Sequence, residues 1–144
     1  MATTTLTNVF RRDAFVSVFD FANDAFNMAL YNASGHDANT TAYTVTNECP
    51  STGNYTAGGN VLSGIAASLD TTNNVAYYDW ADTSWASSTI TATDCLLYDD
   101  TVTTPTANMS IYVGDFGGER STSNGTFQIT MPSATFSTAL VRLA

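Results

Sequence analysis

Residues 75–100, VAYYDWADTSWASSTITATDCLLYDD, contain both tryptophans of the chain and neither lysine nor arginine. Written as strands, alternate residues point to opposite faces, and both faces of this stretch carry apolar or aromatic side chains. A strand that is apolar on both faces is covered on both faces, so the stretch predicts the centre of a β-sheet core. Tyr78, Trp85 and the aspartates of this stretch would form a subunit or glycan surface if they are exposed. The residues expected inside the core are Tyr77, Trp80, Ile90 and Leu96.

The rest of the chain also favours strands. Threonine supplies 25 residues and serine 13, and the branched threonine side chain fits a pleated surface better than a helix. In residues 125–132, GTFQITMP, Phe127 and Ile129 share one face and polar residues the other, which is typical of a half-buried strand. The sequence predicts an all-β fold, a sandwich or barrel of about 7–9 antiparallel strands. Further strands are expected within residues 24–31, 61–69, 75–81, 89–98, 109–116 and 135–143.

Turns and one helix complete this expectation. Residues 70–74, DTTNN, have hairpin length, and residues 117–125, GGERSTSNG, predict a longer loop. Residues 33–60 are rich in Gly, Asn, Ser and Thr and predict long loops. Asn8 could cap a short helix that carries Phe15, Val18 and Phe19 on one face, although these residues also fit an alternating strand.

The first nine residues differ from the rest. Residues 2–8 carry three consecutive threonines, Thr3, Thr4 and Thr5, and one large apolar side chain, Leu6. We expect residues 1–9 to form an extended N-terminal arm outside a single β domain of residues 10–144. Such a segment orders by adding to the sheet edge of a partner, and Arg11 and Arg12 would pair with acidic groups there.

Charge narrows the range of partners. The net charge is −9, and the four cations are all arginines. A chain this acidic is repelled by nucleic acid and by anionic membranes, so neither is expected as a partner. No apolar run approaches the length of a membrane span, and no secretory signal is visible at the start. Synthesis in a cytoplasm, with Cys49 and Cys95 as free thiols, is the expectation.

The sequence holds no recognisable catalytic constellation. His36 is the one histidine, so a zinc site has no second imidazole, and we expect it exposed in a loop. No G-x-S-x-G elbow is present, and a Walker loop needs a lysine that the chain lacks. The acidic pairs Asp79 with Asp82 and Asp99 with Asp100 are expected to be turn aspartates, with Ca²⁺ binding as a weaker alternative. The expectation is a protein that is not an enzyme, with no cofactor and no metal.

Several segments resemble a family of small structural proteins from the virions of tailed bacteriophages. They are FNMALYNAS (26–34), YTAGG (55–59), residues 75–100, IYVGDFGGERSTSNGTFQITMPS (111–133) and ALVRLA (139–144). The resemblance covers most of residues 25–144, and its motifs are strand and turn consensus with no catalytic signature.

The resemblance implies a virion protein assembled in the host cytoplasm, most specifically a capsid decoration or cement protein. Its partners would be the major capsid protein or other virion proteins, and it would form a homo-oligomer, for example a trimer. The alternatives are a tail, neck or fibre component, or a glycan-binding adhesion module that stacks sugars on Tyr78 and Trp85.

Overall fold

The computed structural model describes the whole chain, Met1 to Ala144. Strands dominate its regular structure, and no sheet closes into a barrel. The all-β prediction is confirmed. The helices are α1 (Asn8–Asp13) and a single 3-10 turn (Ala14–Val16). The strands are β1 (Thr5–Leu6), β2 (Phe26–Tyr31), β3 (Asn60–Val61), β4 (Ala66–Asp70), β5 (Val75–Asp79), β6 (Thr83–Ser88), β7 (Thr91–Asp99), β8 (Ser110–Ser121), β9 (Gly125–Ile129) and β10 (Val141–Leu143).

Contacts within the chain divide it into two compact units. The first contains Met1–Val61 and Trp85–Phe127, and the second contains Leu62–Ser84 and Gln128–Ala144. Each unit therefore combines two separate parts of the sequence. The division expected after residue 9 does not coincide with either unit, because residues on both sides of it belong to the first.

The first unit is built on a five-stranded sheet in the order β1-β8-β7-β2-β3. Its central pairs are antiparallel, with Met28 opposite Leu97 and Leu96 opposite Val113. Every residue of β2 is buried, as is most of β7. The apolar run that ends β7 thus has the covered environment that its sequence predicts.

The second unit contains a three-stranded antiparallel sheet in the order β10-β5-β4. β4 and β5 form the hairpin expected at residues 70–74, with Asp70 opposite Val75. The Asp70 carboxylate accepts hydrogen bonds from the backbone N–H groups of Thr72 and Asn73, at 2.9 and 2.8 Å, and so holds the turn. A separate two-stranded sheet joins β6 and β9.

Three local expectations are corrected by the structure. The N-cap of α1 is Thr7, not Asn8, because the Thr7 hydroxyl accepts the backbone N–H of Phe10. Phe15 points into solvent after the helix ends. Residues 117–121 continue β8 instead of forming a loop, since Arg120 pairs with Ala92 of β7.

The core contains four of the six residues expected in it from alternation. Trp80, Ile90, Leu96 and Phe127 are buried. Tyr77 and Ile129 are half-buried. No helix of the chain has the length and apolar character needed to cross a membrane.

Candidate interaction surface

The N-terminal segment lies along β8 of its own chain. Thr5 pairs with Val113 and Leu6 with Tyr112, and the Thr4 hydroxyl accepts the backbone N–H of Asp115 at 2.9 Å. Ala2 is buried in a cluster with Ala29, Tyr31, Leu96, Tyr98 and Val113. The backbone N–H of Thr3 donates to the His36 carbonyl at 2.9 Å.

The expectation of a detached arm is therefore wrong for this chain. A two-residue strand pairs with a sheet edge through backbone hydrogen bonds, and such pairing cannot be predicted from the side-chain pattern. Thr3 and Thr4 are exposed and Thr5 and Leu6 half-buried, so the segment covers the β8 edge while keeping one side open. An exposed β8 edge would otherwise be a site of strand addition.

The two arginines after this segment have partners within the chain. The Arg12 guanidinium binds the Asp13 carboxylate through two nitrogens, with Nη2 at 2.6 Å from Oδ2. Hydrogen bonding and the positive charge of Arg12 lower the pKa of Asp13 against the opposing effect of burial. Arg11 donates to the Thr5 hydroxyl at 3.3 Å.

Two apolar side chains stand beside these arginines in solvent. Phe15 is 89% exposed and Val16 67% exposed, at the end of the helical segment. The other aromatic residues nearby form a series of ring contacts, with centroids 4.9 to 6.0 Å apart: Phe10 of α1, Phe19, Phe21 and Phe26 of β2. We call Arg11, Arg12, Phe15 and Val16 the helix-tip surface. Sequence periodicity missed its apolar part, because it placed Phe15 on the buried face.

The two aromatic residues proposed for an exposed surface have different environments. Trp85 is completely buried and packs against Tyr55 and Phe127, with ring centroids 5.5 and 6.3 Å away. It cannot present a face to a sugar, so this part of the expectation is wrong. Tyr78 is half-buried on β5, between Ala67 of β4 and Val141 of β10.

His36 is buried, contrary to its expected exposure. Its Nδ1 lies 3.4 Å from Asp94 Oδ2, and its ring meets Tyr31 edge-on at 4.5 Å. Asp94 also accepts hydrogen bonds from the hydroxyls of Ser34 and Thr93, the latter at 2.7 Å. Burial opposes ionisation of Asp94, but the contacts with His36, Ser34 and Thr93 outweigh it and lower the pKa.

This cluster differs from a nucleophile–base arrangement. The Ser34 hydroxyl donates to the carboxylate, whereas an activated serine donates to an imidazole. The backbone N–H of His36 also donates to the Ser34 hydroxyl at 3.0 Å. The contacts fix the loop before residue 38 onto β7, and the loop in turn supports Thr3 of the N-terminal segment.

Glu48 organises the loop-rich region in a similar way. Its carboxylate accepts hydrogen bonds from Tyr43 at 2.6 Å, from Tyr55 at 2.8 Å and from the backbone N–H of Gly58 at 2.5 Å. Burial, and then the hydrogen bond to Glu48, raises the pKa of the Tyr43 hydroxyl. Tyr43 also stacks on Tyr98, with centroids 4.7 Å apart. Nothing in the spacing of these residues signalled the network.

Asp99 is a buried carboxyl group of the first unit whose pKa is raised. It is buried, and its Oδ1 accepts the backbone N–H groups of Thr101 and Val102 at 2.9 and 3.1 Å. Burial, and then the neighbouring Asp24 carboxyl group, raises its pKa to about 7 despite these hydrogen bonds. Asp99 accepts backbone N–H groups of the following turn, as expected of a turn aspartate. Unlike Asp100, which is exposed, Asp99 is buried.

No group of three or more His, Cys, Asp or Glu side chains is arranged to hold a metal ion. Cys49 and Cys95 are free and buried, as predicted. Burial raises the pKa of the Cys49 thiol to about 11 and that of Cys95 to about 12. Both thiols are therefore protonated and unreactive at neutral pH.

Comparison with known proteins finds no matching family model, no curated relative and no solved structure similar to this chain.

Proposed function

We propose that the chain is a structural protein of a tailed-phage virion, and most specifically a capsid decoration or cement protein. Its partners would be the major capsid protein or other virion proteins, and its site of action the particle. In this role the protein acts by covering surface between neighbouring subunits, because a shell under internal pressure gains from added contact area.

One observation carries the proposal. The segments that resemble the virion family coincide with strands and their turns: residues 26–34 contain β2, residues 75–100 contain β5 to β7, and residues 111–133 contain β9 and all of β8 except its first residue. The shared positions are therefore scaffold positions. A family whose common residues build a sheet, and do not converge on a catalytic cluster, fits a structural role.

The helix-tip surface is the best attachment point on the first unit. It combines exposed apolar area from Phe15 and Val16 with Arg11 and Arg12, half of the cations of an otherwise acidic chain. Apolar anchors beside arginines are the side chains enriched at protein interfaces. Asp13 already balances the charge of Arg12, so the partner that fits has an apolar pocket beside an acidic group that can meet Arg11.

Copy number in purified particles tests the proposal. A decoration protein is present in stoichiometric ratio to the major capsid protein, whereas a tail, neck or fibre component is present in few copies per particle. Quantitative mass spectrometry of particles separates these cases. Absence of the protein from particles would contradict any virion role.

Attachment is tested by adding purified protein to particles that lack it. Phe15→Ala should reduce occupancy, because it removes the most exposed aromatic side chain of the helix-tip surface. Val45→Ala, a change at a similarly exposed position in a loop, is the matched control. Equal occupancy of both variants would show that attachment uses a different surface.

The glycan-binding alternative loses one of its two stacking platforms, because Trp85 is buried. Tyr78 alone is half-buried, and a single partly covered ring offers less stacking area than such modules use.

A further inference from the structure

β4 is an edge strand: no other strand pairs with its outer side. The second unit's sheet ends at β4, which pairs with β5 alone. Its five residues, AASLD, carry no charge before Asp70, no proline and no bulge. Charges, prolines and bulges normally protect edge strands, because unpaired backbone groups recruit another strand. β4 lacks this protection. The edge strands of the first sheet, β1 and β3, are protected by being only two residues long.

One face of this sheet is also apolar and partly exposed. The register places Leu69 of β4, Ala76 of β5 and Leu143 of β10 in one row across the three strands. Leu69 is 66% exposed and Leu143 47% exposed. The neighbouring row on the same face is Ala67, Tyr78 and Val141, so this face carries no charge although the chain has a net charge of −9.

We propose that β4 pairs antiparallel with β4 of a second copy of this chain, about a two-fold axis at Ser68. In that register all five residues of the strand are paired: Ser68 faces Ser68 of the partner subunit, and Leu69 faces Ala67 of the partner subunit. The two sheets become one six-stranded sheet. Because the pairing keeps odd-numbered residues on one face, the apolar rows continue across both copies.

Charge disfavours an axis at Leu69, and an axis at Ala67 would leave part of the strand unpaired. Asp70 lies opposite Ala66 of the partner subunit, so the two Asp70 carboxylates stand at opposite ends of the paired strands. Moving the axis by one residue to Leu69 would bring the two aspartates closer by two positions. Like charges placed near each other across strands are destabilising, and the Ser68 axis is the one that pairs all five residues while keeping the two aspartates four positions apart. The strand can pair completely with itself, and its apolar rows then continue from one copy to the other, so a second copy is the occupant that fits this edge. This argument does not depend on the proposed virion role.

The size of the contact sets its strength. Stable protein interfaces bury about 1,200–2,000 Å² in total, and two five-residue strands supply less than that. The pair is therefore a weak, concentration-dependent dimer in solution. Each copy carries nine net negative charges, so salt should strengthen the dimer by screening their repulsion.

Cross-linking tests the register. Ser68→Cys places two thiols across the two-fold axis, where paired strands hold Cα atoms about 4.5–5.5 Å apart, within disulfide range. Oxidised glutathione should convert this variant to a covalent dimer at least about 10-fold faster than Val45→Cys, which is also at an exposed position, in a loop of the first unit. The native thiols are buried and do not compete. Equal rates for the two variants would overturn the proposal.

Sedimentation equilibrium tests the association without cysteines. Wild-type protein should show a dimer that increases with protein concentration and with salt. Leu69→Lys should weaken dimerisation at least about 10-fold, whereas Phe15→Lys, with the same charge change at an exposed position, should not; circular dichroism confirms that both fold. A chain that stays monomeric up to millimolar concentration at high salt would overturn the proposal. So would equal dimerisation of the two lysine variants.

Discussion

The Trp85 side chain fills space between Tyr55 and Phe127 in the first unit, and no smaller side chain could fill it. Truncating a buried aromatic residue removes its transfer free energy and leaves a cavity. We expect Trp85→Ala to lower the free energy of unfolding by about 3–5 kcal/mol. Urea unfolding followed by circular dichroism measures this.

Phe15→Ala is the control for that measurement. Phe15 is an aromatic residue of similar kind, but it is exposed and makes no core contact, so its removal should change the unfolding free energy by less than about 0.5 kcal/mol. Equal losses for the two variants would contradict the burial of Trp85.

The Asp99 carboxyl group makes stability depend on pH near neutrality. Its pKa in the folded protein is about 7, whereas an unfolded chain holds aspartate near its ordinary value of about 3.9. Between these values the folded state binds the additional proton, so the contribution of Asp99 to stability is present at low pH. It is lost as pH rises from about 4 through about 7.

Asp99→Asn tests this linkage. The amide oxygen can still accept the backbone N–H groups of Thr101 and Val102, and the side chain no longer ionises. The variant should therefore gain stability relative to wild type on going from pH 5 to pH 8. Thermal melting of both proteins at the two pH values measures the difference, with Asp100→Asn as the exposed control. A constant difference between variant and wild type would contradict a raised pKa for Asp99.

At the scale of elements, the N-terminal segment is part of the first unit's structure. Ala2 fills the core cluster, β1 covers the edge of β8, and Thr7 caps α1 while its hydroxyl donates to the Ser110 carbonyl at 2.9 Å. Deleting residues 2–6 should lower the melting temperature even though Thr7 is kept. Differential scanning calorimetry measures the shift.

Thr3→Ala is the control for the deletion, because Thr3 is exposed and uses only its backbone N–H, which alanine retains. Unchanged melting of the deletion variant would show that the segment is detached from β8 in solution.

The sequence predicts those elements whose signal is local. Alternation in GTFQITMP identifies β9, and the turn residues DTTNN identify the hairpin between β4 and β5. The sequence does not predict β6, TSWASS, because Trp85 is its one large apolar residue and no apolar alternation is visible. The burial of His36 is not predictable from local sequence for another reason. It depends on Asp94, which is 58 positions away, and on an N-terminal segment that has no recognisable side-chain pattern.

The candidate surface is only partly predictable for the same reasons. Arg11 and Arg12 stand out in a chain with four cations, and their exposure follows from charge. The exposure of Phe15 is not predictable from the sequence, because it depends on where α1 ends. The helix ends about one turn earlier than the apolar pattern of Phe15, Val18 and Phe19 predicts. An exposed edge such as β4 is invisible until the strand order is known.

At the scale of the whole molecule, apolar burial is unevenly distributed. The first unit holds the fully buried strands β2 and most of β7, whereas β4 in the second unit is mainly exposed. Local opening requires less free energy where few apolar groups are buried, so amide hydrogen exchange should differ between the units. We expect the slowest exchange in β2, β7 and the first half of β8, and much faster exchange in β4 and β10.

Native-state exchange with increasing urea tests this expectation at protein concentrations low enough to keep the chain monomeric. Amides of β4 and β5 should exchange through an opening of lower free energy than those of β7, because the second unit can open while the first retains its core. If both sets of amides reach the same free energy of opening, the two units unfold as one cooperative structure. A second measurement at higher protein concentration tests the pairing of β4. Exchange in β4 should slow more than exchange in β10, because only the edge at β4 is expected to gain hydrogen bonds from a second copy.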